Sequence, residues 1–577
     1  MNPEPFYFGP GHRPLLGWFH APTGAWRDTA VVLCPPLGYQ HLASYRTMGM
    51  LAARLSGLGF AVVRFDYPGM GDSGGDEHES GLVRDWVEAI HLAGAEARRL
   101  SGATRTAAVG LGVGGMFAAA AGSQHQFDGL VMWAPVESGR KFIRELRVLQ
   151  GAGDDSITSR DGLEAGGFVY PDALAAEIEA LDLLKLDRLP ARRLLLAERD
   201  DLPPLQRLEQ RLRAMGAELT VSQVSGMRQV MDVPTTSVVP AAAAIELIAL
   251  WLGDALSGLG VAPVAALPRA TRVTMPVPGS SSTVVEEAVW FGDHGLSGII
   301  SEPAGSPASN TALLLLNSGR ERRIGTSRMW VRLGRAWAAE GFRVLRMDIA
   351  GLGDSPVRPG GRADAAYSDD APRDIADAVA FLLARGAASV IPMGLCSGGY
   401  WAVGAAASDL PLKSVCAVNP QLYWRPGEPE IPVRTLGAAR EMERMAQSAA
   451  SPAKWGRLLS GQVPVRHVVR TMWRRVVPDI ARRRLRRRGR AAIEELRRLQ
   501  RLPGESLLVF AAEDYGLTFL QQYQRRPFRH LVSGSQVQLQ LVPDADHSFT
   551  RVGPRLQLEA LLHRHVMEVA GAEGSER

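Results

Sequence analysis

Cysteine is scarce: Cys34, Cys396 and Cys416 are the only three in 577 residues. So few thiols in so long a chain exclude a disulfide-built scaffold. Lysine is almost as scarce. Only Lys141, Lys185, Lys413 and Lys454 occur, against 61 arginines. A bias spread over the whole chain reads as genomic composition, not as 61 chosen contacts. Long apolar runs are missing too. The most hydrophobic stretch, 238–252, contains Pro240 and Glu246. It is shorter than the roughly 20 residues a bilayer span needs and reads as the buried terminal helix of a domain. Residues 1–5 carry neither the basic nor the apolar region of a leader peptide. These absences set the expectation of a cytoplasmic protein with reduced thiols and no transmembrane segment. With 46% hydrophobic residues, disorder is excluded as the main state. The net charge of +5 invites an anionic partner but does not say where the charge sits.

What is present is a repeat. Arg64-Phe65-Asp66-Tyr67-Pro68-Gly69-Met70-Gly71-Asp72-Ser73 returns 282 residues later as Arg346-Met347-Asp348-Ile349-Ala350-Gly351-Leu352-Gly353-Asp354-Ser355. Gly59-Phe60 and the apolar run 30–34 return at the same spacing, as Gly341-Phe342 and 312–316. Gly110-Leu111-Gly112-Val113-Gly114-Gly115 returns after 284 residues as Gly394-Leu395-Cys396-Ser397-Gly398-Gly399. Four landmarks in one order indicate a tandem duplication. The division is a first domain over 1–256, a Gly-, Pro- and Ala-rich linker over 257–282, and a second domain over 283–577. In each half, apolar strand-like runs alternate with helix-like segments. That implies an α/β fold: a mostly parallel sheet flanked by helices, used twice. Asp348 and Asp354, in the loop after a strand, read as turn braces.

The second half carries an ordered set of reactive residues. Strand 389–393 runs into Gly394-Leu395-Cys396-Ser397-Gly398-Gly399 and then an Ala-rich helix, the context a nucleophile elbow requires. The glycines Gly394, Gly398 and Gly399 permit a turn that side chains would block. The nucleophile in this register is Cys396, and the helix dipole favours its thiolate. Ser397 would supply one oxyanion amide. The second would come from the loop after strand 313–316, at Ser318, Gly319 or Arg320. Asp514 ends strand 506–512, 118 residues past Cys396, and orients the base; neighbouring Glu513 is its rival. His547 follows strand 537–542 and is the general base. Asp544 and Asp546 read as turn residues, Cys34 and Cys416 as core. His467, His530, His563 and His565 read as surface or helix positions. Neither a metal nor a cofactor is called for.

The first half reads as a retired copy. Its elbow, Gly110, Gly112 and Gly114, has glycine at the nucleophile position. Its acid would fall at Asp200 or Asp201, and no histidine lies in 225–236, where the base should follow.

Both halves resemble α/β-hydrolases. The resemblance rests on the two elbows, the paired Asp-x-x-Gly-x-Gly-Asp-Ser segments and the order Cys396, Asp514, His547. Within that superfamily each half is similar to the small hydrolases found with exosortase and exopolysaccharide gene sets. Asn317-Ser318-Gly319, Gly394 to Gly398 and Ala545-Asp546-His547-Ser548-Phe549 carry this narrower likeness. It implies acyl chemistry on carrier-bound or glycan-linked groups, with an acyl carrier protein or coenzyme A thioester as acyl donor. The elbow is also similar to those of polyhydroxyalkanoate synthases and dienelactone hydrolases, although the surroundings of His547 do not look like the synthase pattern. The functional expectation is an acyltransferase or thioesterase/hydrolase with a Cys-His-Asp triad. The alternative is a non-catalytic binding or scaffold protein of hydrolase fold. The two halves are expected to pack against each other.

The second half also has about 30 extra residues between nucleophile and acid, where a lid belongs, at about 421–501. Within 466–501 there are 14 arginines against Asp479, Glu494 and Glu495, so the rest of the chain is net acidic. Trp473, Val476, Val477, Ile480, Leu485, Ile493, Leu496 and Leu499 give the segment an apolar face. No nucleic-acid motif accompanies the arginines, so the expected partner is another anion.

Overall fold

The computed structural model describes residues 3–151, 162–259, 269–425 and 479–571. Two sheets organise the chain. The first is built from β1 (Glu4–Phe8), β2 (Leu15–His20), β3 (Thr29–Cys34), β4 (Ala61–Phe65), β5 (Arg105–Leu111) and β6 (Phe127–Trp133). A short hairpin, β7 (Leu163–Ala165) and β8 (Phe168–Tyr170), stands apart; β9 (Ala191–Arg199) and β10 (Glu218–Val224) complete the sheet. The order is β1-β2-β4-β3-β5-β6-β9-β10. Only β2 runs against its neighbours; from β4 to β10 every pairing is parallel. Val31, Val32, Val62, Val63, Ala107 and Ala108 are all fully buried. That is why these strands read as unbroken apolar runs: helices cover both faces.

The second sheet repeats this plan. It contains β11 (Arg272–Pro276), β12 (Thr283–Phe291), β13 (Leu296–Pro303), β14 (Thr311–Leu315), β15 (Arg343–Met347), β16 (Ser389–Leu395), β17 (Cys416–Val418), β18 (Ser506–Ala511) and β19 (Val537–Val542). Their order is β11-β12-β13-β15-β14-β16-β17-β18-β19. Part of the stretch read as linker is therefore structured: β11 lies within it and pairs antiparallel with β12. Just before β11, the carbonyl of Ala270 accepts from the amide of Tyr7 in β1, so linker residues touch the edges of both sheets.

The stretch 238–252 contributes to the helix Ala242–Ala255, with Ala244, Ile245, Ile248, Ala249 and Leu252 buried against the first sheet. Of the lid segment, residues 426–478 lie outside the described residues, and with them Trp473, Val476, Val477 and His467. Beyond them runs the helix Asp479–Arg498. Its Leu485, Ile493 and Leu496 are buried, whereas Arg483, Arg486, Arg487, Arg490, Arg497 and Arg498 are exposed. The apolar stripe fixes which way the helix faces.

The halves meet through loops at the carboxyl ends of their strands. Arg64 pairs with Asp354 of the other half at 3.0 Å. Arg346, its counterpart, pairs with Asp72, the counterpart of Asp354. This exchange is the signature of an isologous, two-fold-like contact. Arg322 and Arg323 join it, bonding Asp66 at 2.8 Å and Asp72 at 3.1 Å. Arg335 and Arg346 both bond Glu286. Asp348 braces its turn, as read from the sequence, accepting from the amide of Asp354 at 3.2 Å, whereas the Asp354 carboxylate instead bonds Tyr45 and Arg64 of the other half.

Candidate active site

β16 ends at Leu395 and a helix begins at Ser397. Cys396 makes the turn between them, at φ 59° and ψ −114°. An L-residue is strained there, and such strain persists only where the surroundings over-determine it. Here the neighbours do so by close approach. A side chain on Gly394 would run into the backbone of Gly398, and one on Gly398 into the carbonyl of Asn317. The thiol is thereby held at a helix N-terminus, partly exposed, whereas Cys34 and Cys416 are fully buried.

Asp514 follows β18 and is buried. One carboxylate oxygen caps the helix Tyr515–Val532 by accepting from Gly516 N at 2.7 Å. The other lies 2.5 Å from His547 Nδ1. Glu513 is exposed, so of the two sequence candidates it is Asp514 that reaches the imidazole. The His547 ring in turn interacts electrostatically with the Cys396 side chain. Burial by itself would lower the His547 pKa. The charge of Cys396 and the hydrogen bond to Asp514 outweigh it and hold the imidazole well above 6.5. Such a ring is a ready partner for a thiolate.

Three more side chains complete the site. Tyr367 interacts with Cys396, and its hydroxyl donates to Gln421 Oε1 at 2.6 Å. Gln421 Nε2 lies 3.2 Å from His547 Nε2. Asn419, at φ 43°, donates to the carbonyl of His547 at 2.7 Å and accepts from Ala511 N at 2.9 Å. It thus ties the loop of the base to the strand of the acid. Sequence reasoning missed all three. Asn419 and Gln421 flank Pro420 just past β17, at the carboxyl end of a strand, where sites in such sheets form. That position was a usable signal; Tyr367, in a loop without periodicity, gave none.

The oxyanion candidates fall into different roles. The amide of Ser397 stands in the first helical turn, where N–H groups lack intrahelical acceptors. The amide of Gly319 donates to Ser397 Oγ at 2.9 Å, so in this arrangement it is engaged. Ser318 is buried, and Arg320 lies at the groove between the halves. Asn317 pins the loop by donating to Glu321 O and Asp348 Oδ1, each at 2.9 Å. Asp546 is a turn residue: its carboxylate accepts from Thr550 N and Oγ1. His530 is exposed, His563 lies 3.5 Å from Glu340, and His565 is buried against Ser414.

The first half keeps the turn with glycine in the place of Cys396. Gly112 sits at φ 59° and ψ −126°, close to the conformation of Cys396. A side chain there would meet Met231, from the segment where a base should lie. Asp201 is exposed and bonded to Arg199, which also holds Asp232. The hydroxyl of Tyr170 fills the space over Gly38, the first residue of the helix that follows β3.

Comparison with known proteins bears on the fold. An alpha/beta hydrolase family model matches residues 313–554, and a serine aminopeptidase (S33) family model matches residues 29–152. No curated protein matches the sequence. A hydrolase structure from Agrobacterium vitis is 18% identical over 44% of this chain and 98% of its own, with a TM-score of 0.30. A Xanthomonas campestris α/β serine hydrolase without lid is 15% identical over 45% of this chain and 98% of its own, with a TM-score of 0.29. A Coxiella burnetii α/β serine hydrolase homologue is 16% identical over 39% and 88%, with a TM-score of 0.27. With two sheets of one strand order and an elbow in each, the two family matches establish the α/β-hydrolase fold in two regions of this chain.

Proposed function

We propose that the chain is an acyl-transfer enzyme acting on esters or thioesters, with the chemistry in its second half. The observation that carries this is the Asp514–His547 hydrogen bond, with the charged form of that ring favoured by the strained Cys396 at the elbow. The Cys396 thiolate attacks the acyl carbonyl carbon, and the developing oxyanion is received by the amide of Ser397 and a donor from the Ser318–Arg320 loop. The bond to the leaving oxygen or sulfur breaks as His547 gives it a proton. A thioester on Cys396 remains. An acceptor hydroxyl, amine, thiol or water then attacks it while His547 takes the acceptor's proton, restoring the thiolate–imidazolium pair. Asp514 fixes the ring and stabilises its charged form. A thioester stays activated toward acceptors other than water, which favours transfer over hydrolysis. The donors that suit a cytoplasmic Cys enzyme are an acyl carrier protein or a coenzyme A thioester.

The test is incubation with a panel of acyl thioesters, followed by intact mass. An adduct of acyl mass on the wild type, absent in Cys396→Ala, is the expected result. An adduct that persists in that variant would reject Cys396 as the nucleophile. The rival reading, a non-catalytic scaffold, predicts no adduct in either protein.

A further inference from the structure

The first half reaches the second half's site from two sides. The hairpin β7–β8 lies on the loop of the base. Glu164 accepts from the amide of Val552, the first residue of the helix Val552–Gly571, at 2.7 Å. The carbonyl of Gly167 accepts from Arg555 at 2.6 Å, and Gly167 itself packs on Thr550. Thr550 closes the turn that opens at Asp546, and His547 lies inside that turn. On the other side, Asp66 bonds Arg322, five residues past Asn317. The same hairpin carries Tyr170, whose hydroxyl packs over Gly38 of the first half.

We propose that the first half is the positioning half of one catalytic unit, and that Glu164 is a positioning residue that fixes the loop carrying His547. This rests on the reading of Cys396 and His547 given above. The physical basis is the exposed start of a helix. The first N–H groups of Val552–Gly571 have no intrahelical acceptor. A carboxylate there satisfies one of them and complements the helix dipole. Without it the first turn frays, the loop 546–551 loses its fixed end, and the His547 ring drifts from the sulfur.

The experiment compares full-length wild type, Glu164→Ala and Glu164→Gln. Three quantities are read: kcat and KM for p-nitrophenyl acetate, the pH profile of Cys396 alkylation by iodoacetamide, and the melting temperature. Glu164→Ala lowers kcat by roughly fivefold to twentyfold, the scale of a small misplacement of a reacting group, with KM within about twofold. Its alkylation profile departs from that of the wild type. Glu164→Gln, which retains an acceptor oxygen, recovers most of both. A Glu164→Ala protein with wild-type kcat and alkylation profile overturns the proposal, as does a loss confined to KM or to melting temperature. His547→Ala separates the two readings. If it leaves the alkylation profile unchanged, the nucleophile–base assignment falls and the positioning role falls with it. If it alters the profile while Glu164→Ala does not, only the positioning role is lost.

Discussion

Asp514 uses both carboxylate oxygens, one on its own helix and one on His547. The first explains why its side chain is already set in place before the imidazole arrives. The second makes a prediction for Asp514→Asn. The amide can still cap the helix but no longer opposes a charged ring. The His547 pKa therefore falls, and the alkaline limb of kcat/KM moves to lower pH. Turnover drops by about 10²- to 10⁴-fold, the range typical of losing an oriented base. A pH–rate profile checks both. The stability effect has a definite sign. A raised imidazole contributes stability that is complete below its unfolded pKa, near 6.5, and is lost as pH rises through its folded value. The deficit of Asp514→Asn is thus larger at pH 6 than on the alkaline side. At this scale the sequence was readable. Cys396, Asp514 and His547 each sit just past a strand, in the order the fold demands, so the glycine elbow and the strand ends singled them out, with Glu513 left as a rival to Asp514. Tyr367 was not readable, because only folding brings residue 367 to the thiol.

Strand ends and helix starts decide what these residues can do. β17 is only three residues long, yet Asn419 just beyond it bridges β18 and the His547 loop. Asn419→Ala strands two buried backbone groups, the amide of Ala511 and the carbonyl of His547. That costs about 1–3 kcal/mol of stability. Chemical denaturation measures it, and the loss of kcat should exceed what the lost folded fraction accounts for. The helix Asp479–Arg498 was expected from its periodicity, and its buried leucines follow that pattern. Its exposed arginines have a separate consequence. Replacing Arg483, Arg486, Arg487 and Arg490 by Gln leaves stability within about ±0.5 kcal/mol for each exposed site. It weakens association with an acidic carrier protein in a salt-sensitive way, as titration at two ionic strengths would register. Equal binding by variant and wild type at low salt would reject that docking face. The hairpin β7–β8 was not legible. Two strands of three residues give too short a pattern for alternation to declare itself.

Across the whole molecule, the duplicated loops have become a buried ionic seam. Asp72 and Arg346 are fully buried and paired with each other, and Arg323 lies beside Asp72 at 3.1 Å. Asp72→Asn leaves those guanidiniums short of a charge, at a cost of about 3–5 kcal/mol. A shift of the urea midpoint measures it. Burial would raise the pKa of Asp354 and of Glu286, but the arginines facing them hold each down, to about 2. Depressed carboxyls add stability that is complete above their unfolded pKa values, near 4, and drains away as pH falls toward 2. The sequence alone determined that one fold occurs twice and that only the second copy has Cys396, Asp514 and His547 in the order proposed for nucleophile, acid and base. Those features are local: a strand, a turn that tolerates only glycine, a residue at a strand end. Tertiary structure decided that Arg64 and Arg346 exchange partners and that Glu164 caps a helix 388 residues away. Such contacts join positions with no shared period, so no pattern along the chain can announce them; they exist only once both sheets have formed and their loops face each other.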